Sequence, residues 1–244
     1  YKKDDKVIIG IGLYLKRKGI IDFVELAKRM PEYKFIWFGE SPLIVAPRAV
    51  KKAVRTKLPN LTWAGYVEPS MIKAAMNGCD LYLFPTLEET EGIPIIEACA
   101  CETDAIIRDI PIFDDWLIDG KNVYKAKDVD EFEIKIKKFL NNELPSVAKN
   151  AKKVADERDI SNIGKQLKNV YKEYFKMFIE NRKVDGKNGI SGVTIWGISD
   201  RGTWLNNQAE YKGYQQYPLL WDNEFNCKPA FDGVLEAALE AKEQ

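Results

Sequence analysis

Two glutamates, Glu89 and Glu97, stand with seven residues between them in the segment Pro85-Thr-Leu-Glu-Glu-Thr-Glu-Gly-Ile-Pro-Ile-Ile-Glu97. The segment ends an apolar run and opens a helical pattern. Gly92 permits a backbone turn that side-chain-bearing residues resist, and Pro94 suits a first helical turn, where its missing N–H costs nothing. The amides left free at that turn, together with the helix dipole, make an anion site. A glutamate held there can accept hydrogen bonds from ligand hydroxyls while the amides face a phosphate-like group. The plainer reading is that acidic residues at a helix start simply offset its dipole. Histidine is absent from the sequence, which excludes Ser-His-Asp and Cys-His triads and His-Glu-x-x-His metal sites within this chain. Chemistry must therefore run on carboxylates, lysines, hydroxyls and backbone amides.

The elements that must position these groups are legible in the pattern. Apolar runs at 7–11, 34–38, 61–64, 81–84, 105–107 and 123–124 predict strands, and helical stretches are predicted near 20–30, 47–57, 71–77, 94–101 and 129–140. Strands and helices alternating at this spacing predict an α/β, doubly wound parallel sheet, which binds ligands beyond the carboxyl ends of its strands. A longer helix is predicted over 161–180, then a polar break, a strand over 191–198, an aromatic loop and a helix near 229–241. A sequence of 244 residues can bury a real core. Its 37 lysines and arginines balance 37 aspartates and glutamates, so net charge lends nothing to a nucleic-acid partner. No run of ~18–20 apolar residues predicts a bilayer span. The chain begins at Tyr1 with no signal-peptide core, and it is expected to be a piece of something longer. Cys79, Cys99, Cys101 and Cys227 are expected to be reduced and mostly buried, with no metal site.

From Lys6 to about Lys168 the sequence resembles the family-4 retaining glycosyltransferases of GT-B fold, whose signature is Glu-x7-Glu. Within them, Glu-Glu-Thr-Glu-Gly-Ile-Pro is most like the bacterial diacylglycerol glucosyltransferases. Three further landmarks follow in order: the loop Gly12-Leu-Tyr-Leu-Lys-Arg-Lys-Gly19, the strand Phe35-Ile-Trp-Phe-Gly39, and Asn60-Leu-Thr-Trp-Ala-Gly-Tyr-Val67. The resemblance implies the Rossmann-like donor-binding half of a GT-B enzyme that uses a nucleotide-sugar, UDP-glucose by expectation, and no metal. It implies that Glu97 meets ribose hydroxyls and Glu89 the hydroxyls of the transferred sugar. Lys18 would neutralise the leaving diphosphate, helped by amides around Gly92 and Ile93, where charge grows as the glycosidic bond breaks. Gly12 would lie against the diphosphate, and Tyr66 and Val67 would touch the base through backbone. One position departs from the family: Leu13 stands where arginine is common, with Lys16 and Arg17 close by. Taken singly, Lys18 reads as a surface lysine, Gly12 and Gly19 as turn glycines, and Trp37, Trp63 and Trp116 as packing residues.

The last quarter has another character. Ile190-Ser-Gly-Val-Thr-Ile-Trp-Gly-Ile-Ser-Asp200, Thr203-Trp204, Pro218-Leu-Leu-Trp-Asp222 and Lys228-Pro-Ala-Phe231 resemble the closing strand, loop and helix of a family-10 glycoside hydrolase, a xylanase. That resemblance implies that Trp196 and Trp204 line a sugar subsite. The paired carboxylates of retaining cleavage are absent from the tail, and one strand with its helix cannot close an eight-stranded barrel. The expected division is residues 1–170 for the glycosyltransferase domain and 171–244 for the xylanase-like segment, with the junction between 164 and 180. The expected activity is transfer of a hexose to a lipid or glycan once a missing N-terminal acceptor domain is supplied, so that this chain alone is inactive. The expected location is cytoplasmic, peripheral to a membrane surface through that absent domain. The alternatives are a non-catalytic xylanase fragment and a carbohydrate-binding scaffold without catalysis.

Overall fold

A computed structural model describes residues 4–183, 189–195, 199 and 219–241. Two compact units follow one another, Tyr1–Arg158 and Asp159–Gln244. The first unit contains six strands: β1 (Val7–Ile11), β2 (Lys34–Phe38), β3 (Leu61–Gly65), β4 (Leu81–Phe84), β5 (Ala105–Arg108) and β6 (Tyr124–Ala126). All pair in parallel in the order β3-β2-β1-β4-β5-β6. Parallel strands covered on both faces are apolar throughout rather than alternating, and every residue of β4 and β5 is buried.

The helices of this unit are α1 (Ile20–Arg29), α2 (Arg48–Val54), α3 (Pro69–Gly78), α4 (Ile93–Ala100), α5 (Val129–Leu140) and α6 (Ala148–Glu157). Alternate residues of each strand feed two cores. Ile8, Phe35, Trp37, Leu81 and Leu83 pack with Phe23 of α1, Val50 of α2 and Phe132 of α5. Ile9, Tyr82, Phe84 and Ile107 pack with Met76 of α3, Ile95 and Cys99 of α4, and Val154 of α6. The alternating pattern does not reveal α6, because its buried stripe is Ala148, Ala151, Val154 and Ala155, mostly alanine. Small side chains let it lie close to α4.

Strand order reverses between β1 and β4. The loops leaving their carboxyl ends therefore diverge and open a crevice, the topological switch point where such sheets take ligands. Residues 12–19 follow β1 and residues 85–92 follow β4, so the loop rich in glycine and lysine meets the loop carrying Glu89 at that crevice. Gly19 makes the junction: its φ is +73°, and a Cβ there would stand 2.0 Å from the Pro85 carbonyl oxygen.

The second unit holds α7 (Ile160–Glu180) and α8 (Pro229–Glu240). They pack closely, since a Cβ on Gly233 would lie 2.1 Å from the Lys168 carbonyl oxygen. Lys168, Lys172 and Lys176 alternate with Glu236 and Glu240 along the seam. Of the strand expected over 191–198, residues 191–195 are described and form no ladder; Ile190 makes one isolated bridge to Arg182. Trp196 and Trp204 lie outside the described residues. Among the described residues no helix is long and apolar enough to cross a membrane.

Candidate active site

Lys18 ends a single 3-10 turn, Lys16–Lys18, just before Gly19. Its ammonium stands 2.5 Å from Glu89 Oε1, and the two side chains are only 13% and 5% exposed. Lys18 is thus not the solvated lysine of the plain reading. The close contact offsets part of the cost of taking each group away from water. Thr86 Oγ1 lies 2.9 Å from the same carboxylate oxygen, with its one hydroxyl proton shared between Glu89 Oε1 and the neighbouring carbonyl oxygens of Arg17 and Glu88. The same hydroxyl lies 3.0 Å from the Arg17 carbonyl oxygen, to which the Leu87 amide also donates at 2.6 Å. These contacts lace the β1 and β4 loops together, so Glu89 is held by both walls of the crevice.

Arg17 adds a second cation. Its Nη1 lies 3.4 Å from the Glu88 carbonyl oxygen and 3.9 Å from Glu89 Oε2. Arg17 therefore brings a guanidinium to the wall where Leu13 cannot, Leu13 being an exposed apolar side chain. A cleft of about 450 Å³ opens beside these groups, lined by Arg17, Lys18, Glu89, Gly92 and Ile93. Gly92 caps α4 with φ +81°, and a Cβ there would approach Phe113 to 3.0 Å. Among the described residues the Gly92 and Ile93 amides take no hydrogen-bond acceptor. Pro94 has no N–H, so the first turn of α4 offers two unpaired amides, both on residues that line the cleft.

Gly12 has a different place. Its N–H donates to the Phe38 carbonyl at 2.9 Å, and its own carbonyl accepts from Trp37 Nε1 at 2.9 Å. A Cβ on Gly12 would come within 3.2 Å of Trp37 and 3.3 Å of Lys18. The bareness of Gly12 therefore lets Lys18 pass close behind the loop, while its amide is already committed.

Glu97 lies further along α4, on a second cleft of about 550 Å³ that it lines with Tyr66, Val67, Ile72, Met76 and Cys101. The wall is largely apolar, and Glu97 is its single carboxylate and Lys73 its single cation among the described residues. Glu97 is exposed to the cleft, yet the protein around it displaces enough water to raise its pKa above the ordinary 4.5. Tyr66 stands 71% exposed at the rim. Beneath, the Tyr82 hydroxyl is buried with no hydrogen-bond partner. Burial first, then the charges of Glu97 and Glu89, holds that phenol well above its usual pKa.

The four cysteines are free, with Cys99 buried, Cys79 and Cys101 partly covered and Cys227 exposed. Burial pushes the Cys79 and Cys99 thiols up to about 12, which keeps them protonated and unreactive. Trp37 is fully buried in the core, as a packing residue should be. Among the described residues no group of three or more metal-ligating side chains comes together.

The structure brings Glu89, Lys18, Gly92 and Ile93 to one cleft, and Glu97, Tyr66 and Val67 to its neighbour. Thr86 and Lys73 join them without having been singled out from the sequence. Arg17 joins them too, and the sequence offered it, beside Lys16, as a substitute for the arginine missing at Leu13. Arg17 stood in the right loop, but Thr86 carries no signal beyond following Pro85 at a strand end.

A parallel sheet in this order, with both clefts at its carboxyl edge, is a Rossmann-like α/β domain of GT-B type. The first unit shares that fold with the solved Anabaena HepE in complex with UDP-glucose, at a TM-score of 0.59 and 20% identity, over 67% of this chain and 47% of that one. The model of glycosyl transferases group 1 matches residues 1–158, and the chain belongs to that family. It is 39% identical to the Acholeplasma laidlawii processive diacylglycerol alpha-glucosyltransferase over 174 residues, 71% of this chain and 52% of that protein. The chain thus spans about half the length of that relative. A second model, glycosyl hydrolase family 10, matches residues 125–237. The chain is also 43% identical to a Geobacillus stearothermophilus endo-1,4-beta-xylanase over 61 residues, 25% of this chain and 17% of the xylanase.

Proposed function

We propose that the first unit binds a nucleotide-sugar, UDP-glucose, as the donor half of a retaining transferase that moves a hexose to a lipid or glycan acceptor. The observation that carries this is the Lys18–Glu89 pair, locked between the β1 and β4 loops beside two free amides at the start of α4. A diphosphate in the 450 Å³ cleft would take Lys18 and the Gly92 and Ile93 amides. Glu89 would then turn to the hydroxyls of the sugar. Because these groups are fixed before reaction, they favour charge that develops on the leaving diphosphate. Gly12 would act by letting Lys18 approach. The base would lie against Tyr66 and Val67 in the second cleft, with the ribose hydroxyls donating to Glu97.

A lipid acceptor is supported by the name of the A. laidlawii relative, and the donor by the UDP-glucose in the HepE structure. We place the end of the transferase part near residue 170 and expect acceptor contacts, and with them a peripheral membrane location, to involve sequence outside this chain. Transfer by the chain alone should therefore be slight. A second reading, from the xylanase-like match, makes residues 171–244 a sugar-lining fragment in which Trp196 and Trp204 stack on pyranose rings.

Titration calorimetry with UDP and UDP-glucose tests the donor reading: heat saturating with one site supports it, and none at millimolar ligand overturns it. Glu97→Ala should weaken binding by about tenfold or more, the worth of a charge-assisted hydrogen bond. Quenching of tryptophan fluorescence by xylo-oligosaccharides, lost in Trp196→Ala, would support the second reading.

A further inference from the structure

Helix α2 turns Val50 and Ala53 into the core. Its outer side carries Arg48, Lys51 and Lys52, continued by Arg55 just past its end. Spacing of i, i+3, i+4 and i+7 puts all four on one face, with Lys57 two residues beyond. Several other cations among the described residues are neutralised in pairs, as Arg29 is by Glu25, Asp130 and Glu133, and Lys125 by Asp109 and Asp114. The hollow between the four cations of α2 is lined by them and Thr56 with no carboxylate, and among the described residues none of the four forms an ion pair. Lys51 instead donates to the Ile44 carbonyl at 2.9 Å. Like charges at these spacings oppose the helix that carries them, and α2 has only seven residues and no side-chain cap. An external polyanion would remove that opposition.

Ile44 says which kind. Its side chain is 84% exposed, and its carbonyl is tied to Lys51 at the foot of the stripe. A row of cations beside a projecting aliphatic side chain matches an interface of anionic headgroups over acyl chains. A nucleic acid would take the cations and leave the isoleucine without a partner. We propose that this face docks on an anionic lipid bilayer, with Arg48, Lys51, Lys52 and Arg55 at the phosphates and Ile44 in the interfacial layer. The segment Leu43–Val45 follows β2, so it leaves the sheet at the same carboxyl edge as the donor clefts. The Tyr14 amide donates to Ser41 Oγ at 3.1 Å, which fixes this loop to the β1 loop. Docking would bring that edge of the domain to a membrane. The proposal stands on charge and exposure and does not depend on the donor reading.

Sedimentation of the full chain with phosphatidylcholine vesicles, with and without phosphatidylglycerol, tests it. Binding should need phosphatidylglycerol and weaken as salt screens the charges. Arg48→Ala with Lys52→Ala should cost about 25-fold, roughly fivefold per cation removed. Ile44→Ser should weaken vesicle binding several-fold with the cations intact. UDP titration of each variant reports folding, since none of these residues lines the donor clefts. Equal binding to both vesicle types, or unchanged binding by the double variant, overturns the proposal. So does binding to duplex DNA as tight as to vesicles, with Ile44→Ser indistinguishable from the parent. Failure of UDP to bind while vesicle binding persists would refute the donor reading alone.

Discussion

Replacing Lys18 with methionine keeps most of the side-chain volume and removes the charge facing Glu89. Breaking a buried pair from one side costs ~3–5 kcal/mol, because a charge is left without its partner. Here the carboxylate keeps the Thr86 hydroxyl at 2.9 Å and Arg17 at 3.9 Å, and Lys18 was already 13% exposed. We therefore expect a loss of ~2–3 kcal/mol for Lys18→Met, read as a shift in the denaturation midpoint. Adding Glu89→Gln removes the stranded charge, so the double variant should be less destabilised than the sum of the singles by ~1 kcal/mol or more. Ligand binding supplies an independent arm. In the proposed donor complex Lys18 would exchange Glu89 for the diphosphate and gain no wholly new partner, so its net contribution should sit near the low end for a charged hydrogen bond, ~1.5 kcal/mol, or about tenfold. Lys18→Met should weaken UDP by that factor and leave uridine, which lacks phosphate, unaffected. Strict additivity in the cycle would show that the pair is not coupled. Equal losses for UDP and uridine would show that Lys18 does not face the phosphates.

Glu97 gives two pH dependences of opposite sign. Its folded-state pKa is raised by burial, so the folded chain holds this proton more tightly than the unfolded chain. Its contribution to stability is complete below the ordinary carboxylate value and fades as pH rises through the folded value. Glu97→Gln should thus raise the melting temperature slightly at neutral pH and leave it unchanged in acid. UDP affinity should instead fall on acidification, beginning above the usual carboxylate range, and Glu97→Gln should bind weakly at every pH; a parent affinity flat through that range would refute the ribose role. Gly19→Ala must hold φ +73° and drive a Cβ to 2.0 Å from the Pro85 carbonyl oxygen, so we expect ~3 kcal/mol or more of destabilisation by urea unfolding. Tyr82→Phe deletes a buried hydroxyl that has no partner and should raise stability by ~1 kcal/mol. A lower melting temperature would show that the phenol is hydrogen-bonded in solution.

How much of this was legible in the sequence depends on what each residue answers to. Strands β1, β2 and β4 have the bounds read from the sequence because a doubly covered parallel strand is a near-continuous apolar run, interrupted here by Lys34 at the half-buried start of β2. The ends of β3, β5 and β6 were missed by one or two residues, since Gly65, Arg108 and Ala126 pair by backbone and carry no strand signal of their own. Helix α6 escaped because its buried stripe is three alanines and one valine set among lysines and acids, so the segment is polar on average and shows no apolar run although the stripe keeps helical spacing. In the site, Gly92 and Pro94 were readable because the first turn of a helix dictates residue type locally. Thr86 was not, because its role arises from a contact with Arg17, 69 residues earlier in the chain. Arg17 likewise reaches Glu89 only after β1 and β4 have become neighbours. Local rules therefore located the crevice and the unpaired amides at the start of α4. The partners that hold Glu89 in place are long-range consequences of the strand order, and no spacing within either loop encodes them.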